Sequence, residues 1–132
     1  MYRWLRFRVW DLKSLFPQNP FPQYLDPNNS DWQLTQALIS AIRDESESHG
    51  ARFLLVLLPQ RDYLNGMYDP AIYRSLEEFA QRSSISYVNL LPRMQSYQWS
   101  DVFYPEDGHF TPLGARIAAE LIYQKLQQPD DP

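Results

Sequence analysis

Apolar residues between positions 30 and 50 recur at helical spacing. Those that fall on one helical face are Leu34, Ala37, Leu38, Ala41 and Ile42. Ser30 and Gln33 have the spacing of a capping box at the start of a helix, and Gly50 suits a left-handed stop after its end. The pattern therefore predicts an amphipathic helix from Ser30 to about His49.

Two short apolar runs follow, and each favours a β-strand. Residues 53–58 are continuously apolar and are closed by Pro59, as in a parallel strand buried on both faces. Residues 85–89 predict a second strand, because Tyr87 and Val88 favour extended backbone. Between the runs, Asp69 and Pro70 predict a helix start. Strand, helix and strand form a βαβ unit with a right-handed crossover.

A short helical turn near residues 91–97 is expected next, and Thr111 and Pro112 predict the start of a last helix. The order is α-β-α-β-α, which places the chain in the α/β class. Two strands are too few for a complete parallel sheet. We therefore expect a partial three-layer α/β/α fold, divided into residues 1–30 (aromatic helix and Pro-rich connector), 31–128 (half a domain) and 129–132 (tail).

Residues 1–16 combine aromatic and basic side chains. Four cations stand against one acid, Asp11, which gives a local charge of +3. The cations are Arg3, Arg6, Arg8 and Lys13, and they are interleaved with Trp4, Phe7, Trp10 and Phe16. The favoured interpretation is a helix that packs its aromatic residues on the rest of a larger domain, and contact with a membrane surface is the alternative.

Overall composition limits the partners that the chain is expected to have. Its 132 residues include 12 Lys and Arg against 16 Asp and Glu, a net charge of −4, which argues against a nucleic-acid partner. With no cysteine and only two histidines, neither a metal site nor another cofactor is expected. The N-terminus has no signal-peptide pattern, and the longest apolar run, residues 53–58, is too short for a membrane helix.

The strongest chemical signal is the pairing of Asp107 with His109 directly before the last helix. A loop that follows the last strand of an open α/β sheet lies near the carboxyl ends of the strands, where such folds place their sites. Histidine takes up and returns a proton near neutral pH, and a neighbouring carboxylate fixes its tautomer. By itself this motif favours an ordinary turn in which the carboxylate binds the histidine.

The wider segment resembles a known family. The string DGHFTPLG at residues 107–114, with the alanine-rich helix of residues 115–121, resembles the last sequence block of the SGNH/GDSL hydrolase superfamily, and the similarity extends over residues 31–126. The resemblance implies a flavodoxin-like fold in which His109 is the general base and Asp107 orients it. Many members have the spacing D-x-x-H, which here falls on Glu106. The D-x-H spacing is similar to the alginate-type O-acetyltransferase subgroup, and it favours Asp107.

The other blocks of that family are absent from the sequence. Its nucleophile lies in a Gly-Asp-Ser block and its oxyanion hole uses a Gly and an Asn, yet none of the four glycines here has a Gly-x-Ser context. In the family's order these blocks lie upstream. We therefore expect a C-terminal portion of a serine esterase or O-acyltransferase, acting on an acyl ester or an O-acetylated carbohydrate and completed by a missing N-terminal half or a partner chain. The alternative is a non-catalytic scaffold that retains the half-fold.

Overall fold

Two parallel strands form the centre of the computed structural model, which describes residues 19–128. Strand β1 (Leu55–Leu57) pairs with β2 (Tyr87–Asn89) in the register Leu55–Tyr87, Val56–Val88 and Leu57–Asn89. Both strands are shorter than the apolar runs that predict them. The predicted N-terminal helix of residues 1–16 and the tail of residues 129–132 lie outside the described residues.

Helices precede, connect and follow these strands in the predicted order. A 3₁₀ turn at Pro22–Leu25 leads into the first helix. The helices are α1 (Ser30–Ser48), α2 (Arg61–Leu64), α3 (Ala71–Arg82), α4 (Leu91–Met94), α5 (Trp99–Val102) and α6 (Pro112–Gln127). The elements predicted from the sequence, which are α1, β1, α3, β2 and α6, occur in the order α-β-α-β-α, and the predicted α/β class is confirmed.

Alternation along the strands produces the layers. Successive side chains of a strand point to opposite faces of the sheet. Leu55 packs on one side against the cluster that holds Trp32 of α1 and Phe79 of α3. Val56 packs on the other side against the cluster that holds Ile117 of α6. The short sheet is thus covered by helices on both faces, as in a three-layer α/β/α arrangement.

The ends of the helices follow their local sequence signals to within one residue. Asn29, not Ser30, caps α1, because its side chain accepts hydrogen bonds from the N–H groups of Asp31 and Trp32. Gly50 adopts the predicted left-handed conformation with φ of +75°. Thr111 caps α6 as predicted, and its side chain accepts a hydrogen bond from the Gly114 N–H.

The apolar row on α1 does not face the core. Leu34, Leu38 and Ile42 are 58%, 55% and 58% exposed, whereas Trp32 on another face of the helix is buried. Trp32 packs at a ring distance of 6.0 Å against Phe79 of α3, and this aromatic contact sets the orientation of the helix. The amphipathic helix predicted from the sequence is present, but its row of Leu34, Leu38 and Ile42 is open to solvent.

Strand β1 is also less buried than its sequence predicts. Of the run 53–58 only Leu57 is buried, and Leu58 is exposed. Leu55 donates to Ser86 O and Leu57 O accepts from Leu90, so the peptide groups of Val56 between them point to the opposite edge. In the part of the chain that the structure describes, no strand lies along that edge. A strand with one neighbour cannot be enclosed as the continuous apolar run predicted.

Candidate active site

Asp107 and His109 lie on a tight hairpin that joins α5 to α6. Phe103 and Phe110 form an antiparallel bridge at its base, and their rings pack at 4.9 Å in the core. Tyr104 N–H donates to His109 O at 2.8 Å, and Gly108 N–H donates to Tyr104 O at 3.1 Å. These backbone bonds fix the path of the loop between Phe103, which is buried, and Phe110, which is partly buried.

Gly108 supplies the conformation that closes this hairpin. Its φ of +72° lies in the left-handed region, which residues with a side chain adopt at a cost. The backbone reverses at Gly108, so Asp107 and His109 lie on either side of the turn. The small residue between the acid and the histidine is therefore part of the geometry that brings them together.

Asp107 contacts His109 through both carboxylate oxygens. Oδ1 accepts a hydrogen bond from the His109 backbone N–H at 2.9 Å, and Oδ2 lies 3.1 Å from Nδ1 of the ring. The backbone hydrogen bond from His109, followed by the side-chain contact, lowers the pKa of Asp107 below its usual 3.8. A carboxylate held in its charged form beside Nδ1 favours the tautomer in which Nδ1 bears the proton.

The pair is open to solvent. The side chains of His109 and Asp107 are 82% and 56% exposed, so their ionic attraction is screened and adds little to stability. The hairpin and its hydrogen bonds therefore hold the backbone of the two residues, and the contact with Asp107 acts on the ring of His109. Nε2, at the far side of the ring from Asp107, is directed away from the carboxylate.

Helix α6 anchors the second arm of the hairpin. Thr111 donates its hydroxyl to Asp101 O, and its N–H donates to Val102 O at 3.0 Å. Gly114 in the first turn of α6 packs directly on the Val102 carbonyl, where no β-carbon has room. The start of α6 is thereby held against α5, and His109 lies two residues before the helix cap.

A contact with the residues beyond β1 places the hairpin at the carboxyl edge of the sheet. Arg61 opens α2, and its guanidinium donates to Pro105 O at 2.8 Å. The same guanidinium lies 5.7 Å above the ring of Trp99 in α5. The loop of Asp107 and His109 is therefore adjacent to the end of β1, which is where open α/β folds place their sites.

Comparison with known proteins identifies the family. A family model described as the SGNH hydrolase-like domain of acetyltransferase AlgX matches residues 15–131. The chain belongs to this family.

Two curated relatives are similar to this SGNH hydrolase-like domain. The probable alginate O-acetylase AlgJ of Pseudomonas putida is 28% identical over 103 residues, which are 70% of this chain and 26% of that protein. The probable alginate O-acetylase AlgJ of Pseudomonas syringae pv. tomato is 29% identical over 102 residues, with the same coverage. The chain thus spans about a quarter of the length of these relatives. The match confirms the resemblance to the alginate-type O-acetyltransferase subgroup. No solved structure matches the chain.

Of the three residues that open α2, two lie near the hairpin and one lies apart from it. Arg61 reaches the hairpin, and Asp62 binds Arg61 at 3.2 Å. Tyr63, which follows them, is buried in a cluster with Tyr68 and Tyr73 and does not line the surface near His109. The bond from Arg61 to Pro105 was not predicted, because the two residues are 44 positions apart and no local pattern relates them.

Four further residues have aromatic or titratable side chains that bear on the choice of site. Trp99 is half-buried beneath the Arg61 guanidinium, and Tyr104 is exposed on the hairpin. His49 places Nδ1 2.8 Å from Glu45 O at the end of α1, in agreement with a role at the helix terminus. Glu106 is exposed, and its contacts among the described residues do not include His109.

Other site types find no support within residues 19–128. No group of three metal-binding side chains occurs there. No helix in that part of the chain has the length and apolarity to cross a bilayer. A groove of about 760 Å³ is lined by residues such as Phe53, Ile85 and Lys125, but it lies where the strands begin, at the opposite end of the sheet from His109.

Proposed function

We propose that this chain contributes the Asp–His part of a Ser-His-Asp triad in an SGNH-type O-acetyltransferase or esterase. The observation that carries the proposal is the contact of 3.1 Å between His109 Nδ1 and Asp107 Oδ2 on a hairpin at the carboxyl edge of β1. His109 is the general base and Asp107 orients it. The serine and the oxyanion donors come from outside this sequence.

The geometry favours proton transfer at Nε2. When Asp107 accepts the Nδ1 proton, Nε2 is left with a free lone pair. A serine hydroxyl on the exposed side of the ring can then give its proton to Nε2 while its oxygen attacks an acetyl carbonyl. The resulting imidazolium is stabilised by the carboxylate, and it returns the proton to the leaving group. The exposure of the ring is compatible with an opposite wall supplied by another segment.

Two surfaces support the view that the domain is completed by further protein. The outer edge of β1 offers the peptide groups of Val56 for pairing, and the row of Leu34, Leu38 and Ile42 on α1 is exposed. An added parallel strand would pair with the outer edge of β1. The helix that accompanies this strand in a βαβ unit would cover the apolar row on α1. We propose that the part carrying the Gly-Asp-Ser block occupies both.

The proposed substrate is an O-acetylated carbohydrate. The relatives from Pseudomonas are named as probable alginate O-acetylases, and the family model is that of an acetyltransferase. An acetyl ester places a small carbonyl at the serine and a sugar oxygen at the leaving position. Both hydrolysis and transfer pass through the same acetyl-enzyme, so the acceptor decides between them.

The experiment uses the completed domain. The coding DNA next to this sequence is searched for a Gly-Asp-Ser block behind an apolar strand, and the joined protein is assayed with an aryl acetate and with an acetylated oligosaccharide. His109→Ala is expected to lower kcat by roughly 10⁴-fold or more, as loss of a triad member does. His49→Ala removes the other histidine and is the matched control. Equal turnover by His109→Ala and the unmodified domain would refute the assignment.

A non-catalytic scaffold is the second candidate. The observation in its favour is the lack of a Gly-x-Ser context at Gly50, Gly66, Gly108 and Gly114. On this hypothesis the adjacent DNA encodes no nucleophile block. The His109→Ala variant should then bind a partner protein as well as the unmodified chain does. A Gly-Asp-Ser block in the adjacent reading frame decides for the enzyme.

A further inference from the structure

Arg61 links the end of β1 to α5 and to the hairpin that carries Asp107 and His109. Its Nη1 donates to Pro105 O at 2.8 Å, and its Nε donates to Asp62 Oδ1 at 3.2 Å. Its guanidinium also stacks over Trp99 with 5.7 Å between Cζ and the ring centroid. Pro105 lies within the hairpin, and Trp99 opens α5 immediately before it.

These contacts restrict the guanidinium more than an ordinary surface arginine. The side chain is 35% exposed, and the plane that stacks on Trp99 also directs separate N–H groups to Pro105 and Asp62. A planar, delocalised cation can make such contacts together, whereas a lysine ammonium presents a single compact charge. The geometry thus depends on the shape of arginine as well as on its charge.

We infer that Arg61 is a positioning residue that holds the Asp107–His109 hairpin against the carboxyl edge of β1. The inference rests on the proposed function, because the position of the pair at this edge matters only if the pair takes part in catalysis. Arg61 acts through the Pro105 carbonyl, two residues before Asp107, and it touches neither member of the pair. The turn at Gly108 then transmits the fixed position of Pro105 to the ring of His109.

Arg93 offers a matched control elsewhere in the molecule. Its guanidinium lies 5.4 Å above the ring of Tyr97, which resembles the stack of Arg61 on Trp99. Among the described residues, its side chain has no hydrogen bond to the hairpin. Removing Arg93 therefore tests the loss of an arginine–aromatic stack without the loss of the bond to Pro105.

The test measures the state of the Asp107–His109 pair by NMR in the full 132-residue chain. The ¹⁵N shifts of the His109 ring are recorded at about pH 8, above the ordinary histidine pKa, and the Asp107 carboxyl is titrated. The unmodified chain should show a proton on Nδ1. Arg61→Ala should mix the two tautomers and move the Asp107 pKa up toward 3.8, and Arg93→Ala should change neither.

Two conservative variants keep the test decisive if Arg61→Ala fails to fold. Arg61→Lys retains the charge on a single ammonium group, and Arg61→Gln retains N–H donors without the charge. A shift in the same direction in either variant, with the amide spectrum otherwise unchanged, supports the positioning role. An unchanged pair in every folded Arg61 variant overturns it, and so does an equal change in Arg93→Ala. Because this readout needs no substrate, it separates failure of the positioning role from failure of the proposed activity.

Discussion

The carboxylate of Asp107 is held in place by the hydrogen bonds that it accepts and not by burial. It is open to solvent, yet it binds the backbone and the ring of the same residue, His109. The backbone bond is the larger cause of its lowered pKa. All three residues from Asp107 to His109 lie in one hairpin, so a D-x-H spacing can form the contact when the backbone of that hairpin is held in place.

This lowered pKa predicts a pH-dependent stability. A carboxyl whose pKa is lower in the folded than in the unfolded chain stabilises the fold above its unfolded pKa, and this contribution is lost as the pH falls through the folded pKa. The unmodified chain should therefore be more stable than Asp107→Asn at neutral pH, and the difference should shrink below about 3.8. Urea unfolding at a series of pH values measures it. Glu106→Gln, which removes the adjacent carboxylate, is the control, and a difference that stays constant into acid would contradict the prediction.

At the scale of the element, the start of α6 depends on its close approach to α5. A β-carbon on Gly114 would meet the Val102 carbonyl, which belongs to rigid backbone and cannot move aside as a side chain can. Glycine within a helix ordinarily costs about 1 kcal/mol relative to alanine. Here the packing contact reverses that preference.

Gly114→Ala should therefore destabilise the chain although it improves helix propensity. The expected cost is about 1–3 kcal/mol, the range for overpacking at a close contact. Thermal unfolding followed by circular dichroism measures the change. Glu120→Ala, at an exposed position of the same helix, is the control and should stay within about 0.5 kcal/mol. A stabilised Gly114→Ala variant would show that α5 and α6 separate more easily than this packing requires.

The sequence predicted those elements whose signals are local. Thr111 and Gly50 act on backbone groups within a few residues, so the ends of α6 and α1 could be inferred without tertiary information. The buried face of α1 could not be inferred in this way, because Trp32 and the row that includes Leu38 are both apolar. Only the packing of Trp32 on Phe79 decides which of the two faces is buried. Helix α5 was missed because four residues are too few to show a period.

The site shows the same division between local and distant information. The contact of Asp107 with His109 is local in sequence and could be predicted from it. The roles of general base and orienting acid were predicted from the family resemblance. The bond from Arg61 to Pro105 joins positions 44 residues apart, and no pattern in either segment predicts it. The position of the hairpin at the carboxyl edge became definite only when the end of β1 and the hairpin were seen together.

In the whole molecule, the open edge of β1 occurs together with an exposed apolar row on α1. The outer edge of β1 has no strand neighbour among residues 19–128, and α1 exposes Leu34, Leu38 and Ile42. Open strand edges and contiguous apolar surfaces promote association between chains. The net charge of −4 opposes association only weakly, since charges on separate molecules are screened beyond about 10 Å in ordinary salt.

We therefore predict that the chain by itself self-associates through the row on α1. Leu38→Glu places a charge at the centre of this row and should shift the chain toward monomer in sedimentation velocity, because burying that charge between chains is costly. Tyr123→Glu is the matched control: Tyr123 is 64% exposed on α6, apart from the row, and its replacement should leave association unchanged. Since Leu38 is 55% exposed, Leu38→Glu should alter the free energy of unfolding by about 0.5 kcal/mol or less. A loss of more than about 2 kcal/mol would instead mean that the row is covered within a single chain, and the proposal that a further part of the domain occupies it would fail.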